Sequence, residues 1–180
     1  MSVKKEASGR RSIQVDVEVP GSTQSAVERR SAEAELRTLI AKFAPAHLRL
    51  ISAMRRSLRK RLPTAHEVVY EYRAWIVISY SPTERGYEGV LGIRASADGV
   101  KLFFNHAKGL PDPEKLLQGS GGQVRSIGVE GTSTLARPEV MSLIDEAIAR
   151  NRVPFASTGR GSVVMSPSTS AKQRRRNRPA

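Results

Sequence analysis

Strand-forming segments fill the middle of this 180-residue chain and restrict it to folds built on a sheet. Residues 68–72, 75–80, 89–95 and 100–105 are rich in β-branched and aromatic side chains, which favour strands. Asp98-Gly99 separates the last two segments and is typical of the tight turn of a β-hairpin. With a further segment at 124–129, the sequence predicts an antiparallel sheet of about five strands.

Amphipathic helices are predicted on either side of these strands. Ser25 and Glu28 have the spacing of a capping box, and apolar residues then recur every three or four positions as far as Pro45. A second helix ends at Pro63, and a third covers residues 137–150. Helices before and after an antiparallel sheet, covering one of its faces, indicate an α+β domain.

Composition divides the chain into one domain and two tails. Residues 1–24 are predicted to be a flexible N-terminal arm, and residues 25–152 to be the α+β domain. Residues 153–180 carry six basic side chains and no acidic one, among Ser, Thr, Gly and Pro. Such a segment has too little apolar surface to fold alone, so we expect a disordered basic C-terminal tail.

Several classes of function are disfavoured by what the sequence lacks. It contains no cysteine, so disulfides and thiolate metal sites are impossible. No apolar run reaches the roughly 18–20 residues of a membrane helix. His47, His66 and His106 lack metal-ligand spacing, and no serine lies in a nucleophile-elbow motif. We therefore expect a cytoplasmic protein without catalytic residues, cofactor, metal site or membrane contact.

The segment between the fourth and fifth predicted strands supplies the candidate ligand site. Its glycine-rich loop, followed by Arg125, could hold an anion; the alternative is a turn that glycine permits and the arginine fixes. The aspartate between two prolines is predicted to cap a short helix at 114–118. With a neighbouring sheet tyrosine, this loop is the expected surface for an unknown small molecule or protein. The candidate residues are Asp112, Gly119, Ser120, Gly121, Arg125 and Tyr80.

Aromatic residues concentrate in the first half of the predicted sheet, as Tyr70, Tyr72, Trp75, Tyr80 and Tyr87. Because side chains alternate along a strand, some of them must face the helices and others the open face. An open face that carries two or three tyrosines would be a natural binding surface. Trp75 is predicted to pack in the core.

The second predicted helix carries a basic stripe, formed by Arg49, Arg56 and Lys60 on the side opposite its apolar residues. Phosphate groups could dock on this stripe; the alternative is that a helix packed on a sheet places its charges in water. The arginines at 174–178 would add non-specific, salt-sensitive affinity for nucleic acid.

A series of motifs occurs in one order along residues 36–150, and together they resemble the YdhG-like family of small bacterial proteins. The resemblance covers about two-thirds of the chain, close to the size of one domain. It implies a frataxin-like α/β sandwich, and one branch of the family is linked to intracellular iron handling. The motifs are Leu62-Pro63, Glu67, Tyr70, Tyr80-Ser81-Pro82, the strand at 100–104, Gly109-Leu110-Pro111-Asp112-Pro113, Leu117, Gly119-Ser120-Gly121 and Val124-Arg125.

These observations favour a non-enzymatic binding or interaction module with an unknown ligand. One alternative is a nucleic-acid-associated protein that uses the basic stripe and the tail. The other is a frataxin-like iron carrier, which would need clustered carboxylates because hard cations prefer oxygen ligands. The densest acidic group, Glu28, Glu33 and Glu35, is interleaved with arginines, which weakens the iron hypothesis.

Overall fold

One six-stranded sheet organises residues 23–166, which are the part of the chain that the computed structural model describes. The strands lie in the order β5-β4-β3-β2-β1-β6. Neighbours pair antiparallel, except that β6 runs parallel to β1. The strands are β1 (His66–Glu71), β2 (Trp75–Ser81), β3 (Leu91–Ser96), β4 (Gly99–Phe104), β5 (Arg125–Gly128) and β6 (Val163–Met165).

The helices are α1 (Ala26–Phe43), α2 (Leu48–Arg61), the single turn α3 (Ser133–Ala136) and α4 (Pro138–Ala149). The capping box is confirmed, because Ser25 accepts from the Glu28 amide and the Glu28 carboxylate accepts from the Ser25 amide. Proline occupies the first turn of α4, where its missing N–H costs no helical hydrogen bond. Within residues 23–166, none of these helices has the length and apolar character needed to cross a membrane.

All the longer helices contribute to a core on one face of the sheet. Alternate residues of β2, Ile76, Ile78 and Tyr80, lie in this core and are 0% exposed. They pack with the apolar stripes of α1, α2 and α4, which include Leu36, Ile51, Met54, Leu58, Val140 and Leu143. The residues between them on β2 point to the opposite, helix-free face. The α+β class predicted from the sequence is therefore confirmed.

Two details of the predicted domain are wrong. The sheet has a sixth, parallel strand, β6, which lies inside the range assigned to the tail, so the described fold extends to residue 166. The helix predicted at 114–118 does not form. Asp112 instead accepts from the amides of Leu116 and Leu117, at 2.8 and 2.9 Å, and Lys115 has a left-handed φ of 53° that ends any helical turn. The arm at 1–22 and the tail at 167–180 lie outside the described residues.

Strand β6 is held against the sheet by a close backbone approach. A Cβ on Gly161 would lie 1.7 Å from the Ala65 carbonyl oxygen, so only glycine fits at this point. On the other side, Gln24 donates to the Val163 carbonyl at 2.8 Å and accepts from the Val163 amide at 3.0 Å. The start of the described chain therefore pairs with its last strand.

Replacement of Gly161 by Ala should displace β6 and lower the free energy of unfolding by about 1–3 kcal/mol, the usual cost of overpacking. Gly122→Ala is the matched control, because a Cβ at Gly122 meets no atom within 4 Å. Urea unfolding of the two variants and the parent chain measures the difference. Equal stability of the two variants would show that the approach at Gly161 is not tight.

Candidate functional site

A cleft of about 560 Å³ opens on the helix-free face of the sheet. Val77, Ser79 and Phe103, from the central strands, form its floor. The segments around Tyr87 and at 123–126 form its walls. Its volume is within the range of about 300–1,000 Å³ that is common for small-molecule sites. Because most of the floor is hydrogen-bonded sheet, the shape of the cleft is fixed by the fold.

Aromatic rings stack along one side of this cleft. Tyr70 and Tyr72 have ring centroids 6.5 Å apart, and Tyr72 stacks on Trp75 with centroids 5.5 Å apart and planes inclined by 24°. The guanidinium carbon of Arg94 lies 4.4 Å from the centroid of the Trp75 ring, a cation–π contact. The prediction that Trp75 packs in the core is wrong, because Ile76 takes the core-facing position on β2.

The floor of the cleft is kept low by Gly92, which lies opposite Phe103 in the β3–β4 register. A Cβ at this glycine would be 2.6 Å from Cζ of the Phe103 ring. The ring therefore lies across the backbone of β3, where a side chain at position 92 would push it outward. This arrangement adds a fourth aromatic side chain to the lining, after Tyr70, Tyr72 and Tyr87.

Polar groups in the cleft include one permanent cation, Arg94, and uncharged groups that can both donate and accept. Arg94, Asn105, His106 and Gln123 line it, and none of its lining residues is an Asp or Glu. Ser79 also lines it, and its hydroxyl is the one buried side-chain polar atom within residues 23–166 that has no hydrogen-bond partner. Buried polar atoms in proteins are generally paired, so an unpaired hydroxyl at a cleft floor is notable. The lining suits a ligand with an aromatic body and a negative or hydrogen-bond-accepting group.

Two of the residues predicted for the ligand surface point away from this cleft. Tyr80 is 0% exposed and faces the helices, where its hydroxyl donates to Glu67 at 2.7 Å. Arg125 pairs with the core-facing Phe104, so the two side chains lie on the same side of the sheet, away from the cleft. Its guanidinium donates to the adjacent Val124 carbonyl at 3.1 Å. Composition identified these strand segments but did not determine which face each side chain occupies.

The remaining loop residues border the cleft or support the chain near it. Gly119, Ser120 and Gly121 are exposed, and the same loop contributes Gln123, Val124 and Ser126 to the cleft lining. Both carboxylate oxygens of Asp112 accept from backbone amides, which is a structural role. The six candidate residues are therefore not brought together at one point.

The basic stripe predicted on α2 is present as an exposed surface. Arg49, Arg56 and Lys60 are all exposed, and within residues 23–166 they form no ion pair or hydrogen bond with a side chain. Arg55 and Arg59, on the same helix, instead belong to a largely buried network of ion pairs.

This buried network is centred on Glu67, whose side chain is 2% exposed. Arg55 Nη2 lies 2.6 Å from Glu67 Oε2, and Arg59 donates to the same oxygen. Both arginines also bind Glu33 on α1. Burial acts to raise the pKa of Glu67, but the two guanidinium groups and the Tyr80 hydroxyl outweigh it and hold this pKa below its usual value.

Sequence reasoning missed this network, although two signals pointed to it. Glu67 lies within a strand whose neighbours are largely apolar, and a carboxylate there must be paired if it is buried. Arg55 and Arg59 are four residues apart and therefore adjacent on one face of α2. Neither the acid in the strand nor the pair of arginines on the helix predicts the network by itself. The two are brought together only by the packing of α2 on β1.

A serine, a histidine and a glutamate also meet at the β1–β6 edge. His66 Nδ1 lies 2.7 Å from Ser162 Oγ, and the same hydroxyl donates to Glu84 Oε1 at 2.8 Å. A catalytic triad needs the acid on the ring nitrogen remote from the serine, whereas here Glu84 is 3.9 Å from that same Nδ1. Burial lowers the pKa of His66, which favours the neutral ring. This contact is structural.

Within residues 23–166, no group of three or more His, Asp or Glu side chains is gathered in a way that could hold a metal ion. Comparisons of the chain with protein-family models, with curated proteins and with solved structures found no match.

The Glu67 network predicts how stability depends on pH. The unfolded glutamate has a pKa of about 4.3. Because folding lowers the pKa of Glu67 and of Glu33, their contribution is present above that value and is lost as pH falls through the lowered folded values. Glu67→Gln should flatten this acid dependence. It should also cost about 3–5 kcal/mol at neutral pH, because the two arginines lose a buried partner.

Urea unfolding of the parent chain and of Glu67→Gln, at several values of pH, measures both effects. Glu130→Gln is the control, because Glu130 is exposed and forms no ion pair within residues 23–166. If Glu67→Gln and Glu130→Gln lose stability equally at neutral pH, the network does not stabilise the fold.

Proposed function

We propose that this protein is a non-enzymatic binding module whose ligand site is the cleft on the helix-free face of the sheet. The observation that carries the proposal is the composition of that cleft. Tyr70, Tyr72, Tyr87 and Phe103 supply aromatic surface, while the cationic and amide donors of the lining are not balanced by any carboxylate among the described lining residues. Concave apolar sites with a few convergent polar groups are the usual form of a ligand site.

The expected ligand is a planar aromatic anion of small size. Ring faces of Tyr72 and Phe103 offer stacking surface, and aromatic pairs contribute about 0.5–1.5 kcal/mol beyond their buried area. Arg94 and His106 lie where they can meet a negative group, since both line the same cleft.

The family and compartment are part of the same proposal. A YdhG-like, frataxin-like domain in the bacterial cytoplasm is supported by the order of motifs along residues 36–150 and by the α+β architecture. The sequence motifs Glu67 and Tyr80 occur together in the buried network, which gives two of them a physical role. The iron-carrier alternative gains no support from the acidic residues of the described chain.

Titration of the full chain with 2-naphthoate, followed by amide NMR, tests the cleft. We expect shifts confined to the residues that line the cleft and their chain neighbours, and weaker binding of the neutral 2-naphthalenemethanol because it lacks the charge. Arg94→Gln should weaken 2-naphthoate binding by about tenfold, the range of a hydrogen bond to a charged group. Arg30→Gln, on exposed α1 surface, should leave it unchanged. Absence of shifts with both compounds, or shifts centred elsewhere, would contradict the proposal.

Nucleic-acid association is the second candidate, and the exposed stripe on α2 favours it. Arg49, Arg56 and Lys60 have no ion-pair partner within residues 23–166, so all three charges are available to phosphates. On this hypothesis the stripe displaces counterions from DNA, and each phosphate contact adds about 0.9 to the slope of log affinity against log salt.

Replacing Arg49, Arg56 and Lys60 together by Gln should reduce that salt slope by about 2–3 units for duplex DNA. The matched control replaces Arg30, Arg137 and Arg152 by Gln, which removes the same charge from other exposed positions. Fluorescence anisotropy of labelled duplex and single-stranded DNA over a range of salt measures both slopes. Equal reductions in the two triple variants would show that only net charge matters.

A further inference from the structure

A second cleft, of about 370 Å³, lies beside β6, away from the aromatic cleft. Three arginines from separate parts of the chain line it: Arg29 in the first turn of α1, Arg59 in the last turn of α2, and Arg160 in the loop before β6. The carboxylate of Glu67, which Arg59 binds, also lines it. Such convergence is unfavourable for the isolated protein, because like charges repel in a concave, partly desolvated site. The question is therefore whether nearby carboxylates balance the three positive charges.

The nearby carboxylates balance only part of this charge. Glu33 and Glu67 are engaged by Arg55 and Arg59, so two acids are matched by two bases. Arg29 donates to a neutral group, the carbonyl of Gly161. Glu84 accepts a hydrogen bond from the Ser162 hydroxyl.

Arg160 is exposed and has no ion-pair partner within residues 23–166. Burial lowers the pKa of Arg29, and the charges of Arg160 and Arg59 lower it further, whereas the charges of Glu33 and Glu67 act to raise it. The net shift is downward, which agrees with an excess of positive charge at this point. The guanidinium groups of Arg29 and Arg160 form no ion pair with a carboxylate of residues 23–166.

The loop that carries Arg160 is fixed on both sides. Gly159 has a left-handed φ of 94°, and Gly161 fits against the Ala65 carbonyl, where no side chain could. The Gly161 amide donates to the Pro63 carbonyl at 3.3 Å, and the Ser162 amide to His66 Nδ1 at 3.3 Å. Arg160 therefore stands on a backbone that is already positioned, which reduces the entropy lost when it binds a ligand.

We propose that this arginine cleft, formed by Arg29, Arg59 and Arg160, binds the terminal phosphate group of a small phosphomonoester. A phosphate monoester carries a charge of about −1.5 to −2 at neutral pH, which matches the charge of the two guanidinium groups without an ion pair, those of Arg29 and Arg160. Guanidinium forks bind such oxygens with two parallel hydrogen bonds, which a lysine cannot do. Residues 159–162 would contact the phosphate from the side of the loop, and the ester group would extend into solvent.

The test is to titrate the full chain with phenyl phosphate and, separately, with inorganic phosphate. Amide NMR monitors the resonances of Gly159, Gly161 and Ser162 during each titration. We expect these resonances to shift with a Kd below about 1 mM. Arg160→Gln should weaken binding at least about tenfold, because it removes a charged hydrogen-bond donor. This variant should fold normally, since Arg160 has no partner within the described residues.

Arg152→Gln is the matched control, being exposed, in the same C-terminal segment and outside the cleft. A single-stranded oligonucleotide without terminal phosphates distinguishes the source of the phosphate. Weaker shifts with this oligonucleotide than with phenyl phosphate support the monoester. No shift at Gly159–Ser162 with either phosphate, equal weakening by Arg152→Gln, or equal binding of the oligonucleotide would each overturn the proposal.

Discussion

The buried carboxylate of Glu67 is the constraint on which the arrangement of the helices depends. Removing a carboxylate from water is costly, and it is tolerated only where charged partners surround it. Here the partners come from α2, through Arg55 and Arg59, and from β2, through the Tyr80 hydroxyl. Glu33 extends the network to α1. A helix that shifted along the sheet would leave buried charges unpaired, so the network sets where α1 and α2 lie.

This placement also determines where ligands can bind. Since α1, α2 and α4 gather on one face of the sheet, the aromatic residues of alternate strand positions remain on the other face, around the cleft. The same carboxylate holds Arg59 beside the second cleft, where Arg29 and Arg160 join it. The buried acid thus helps to fix α1 and α2 on the core face and orients one of the three arginines.

The sequence predicts those elements that are long enough to show a pattern. It does not predict features that depend on one residue, such as a close contact or the face that a strand residue occupies. The three longer helices follow from repeated apolar spacing, and five of the strands from segments rich in β-branched and aromatic residues. A capping box marks the start of α1, and an Asp-Gly turn joins β3 to β4. Strand β6 has only three residues, which is too short for any pattern, and a glycine approach to Ala65 holds it. Tyr80 and Trp75 were assigned to the wrong faces of β2. Side chains alternate between the two faces, so a shift of one position exchanges them. The pairing of Arg55 with Glu67 depends on tertiary packing, which spacing along one helix does not contain.

The contact between Gln24 and Val163 has a consequence for the whole chain. It joins the two ends of the described fold, so the chain enters and leaves the domain at neighbouring points on the β6 edge. Gln24 and Val163 lie at this edge of the sheet and not on its aromatic face, next to Ser162 of the arginine cleft. Proteins with adjacent ends tolerate circular permutation. A permuted chain opened at the exposed 96–99 turn would carry its new ends on a different side of the sheet.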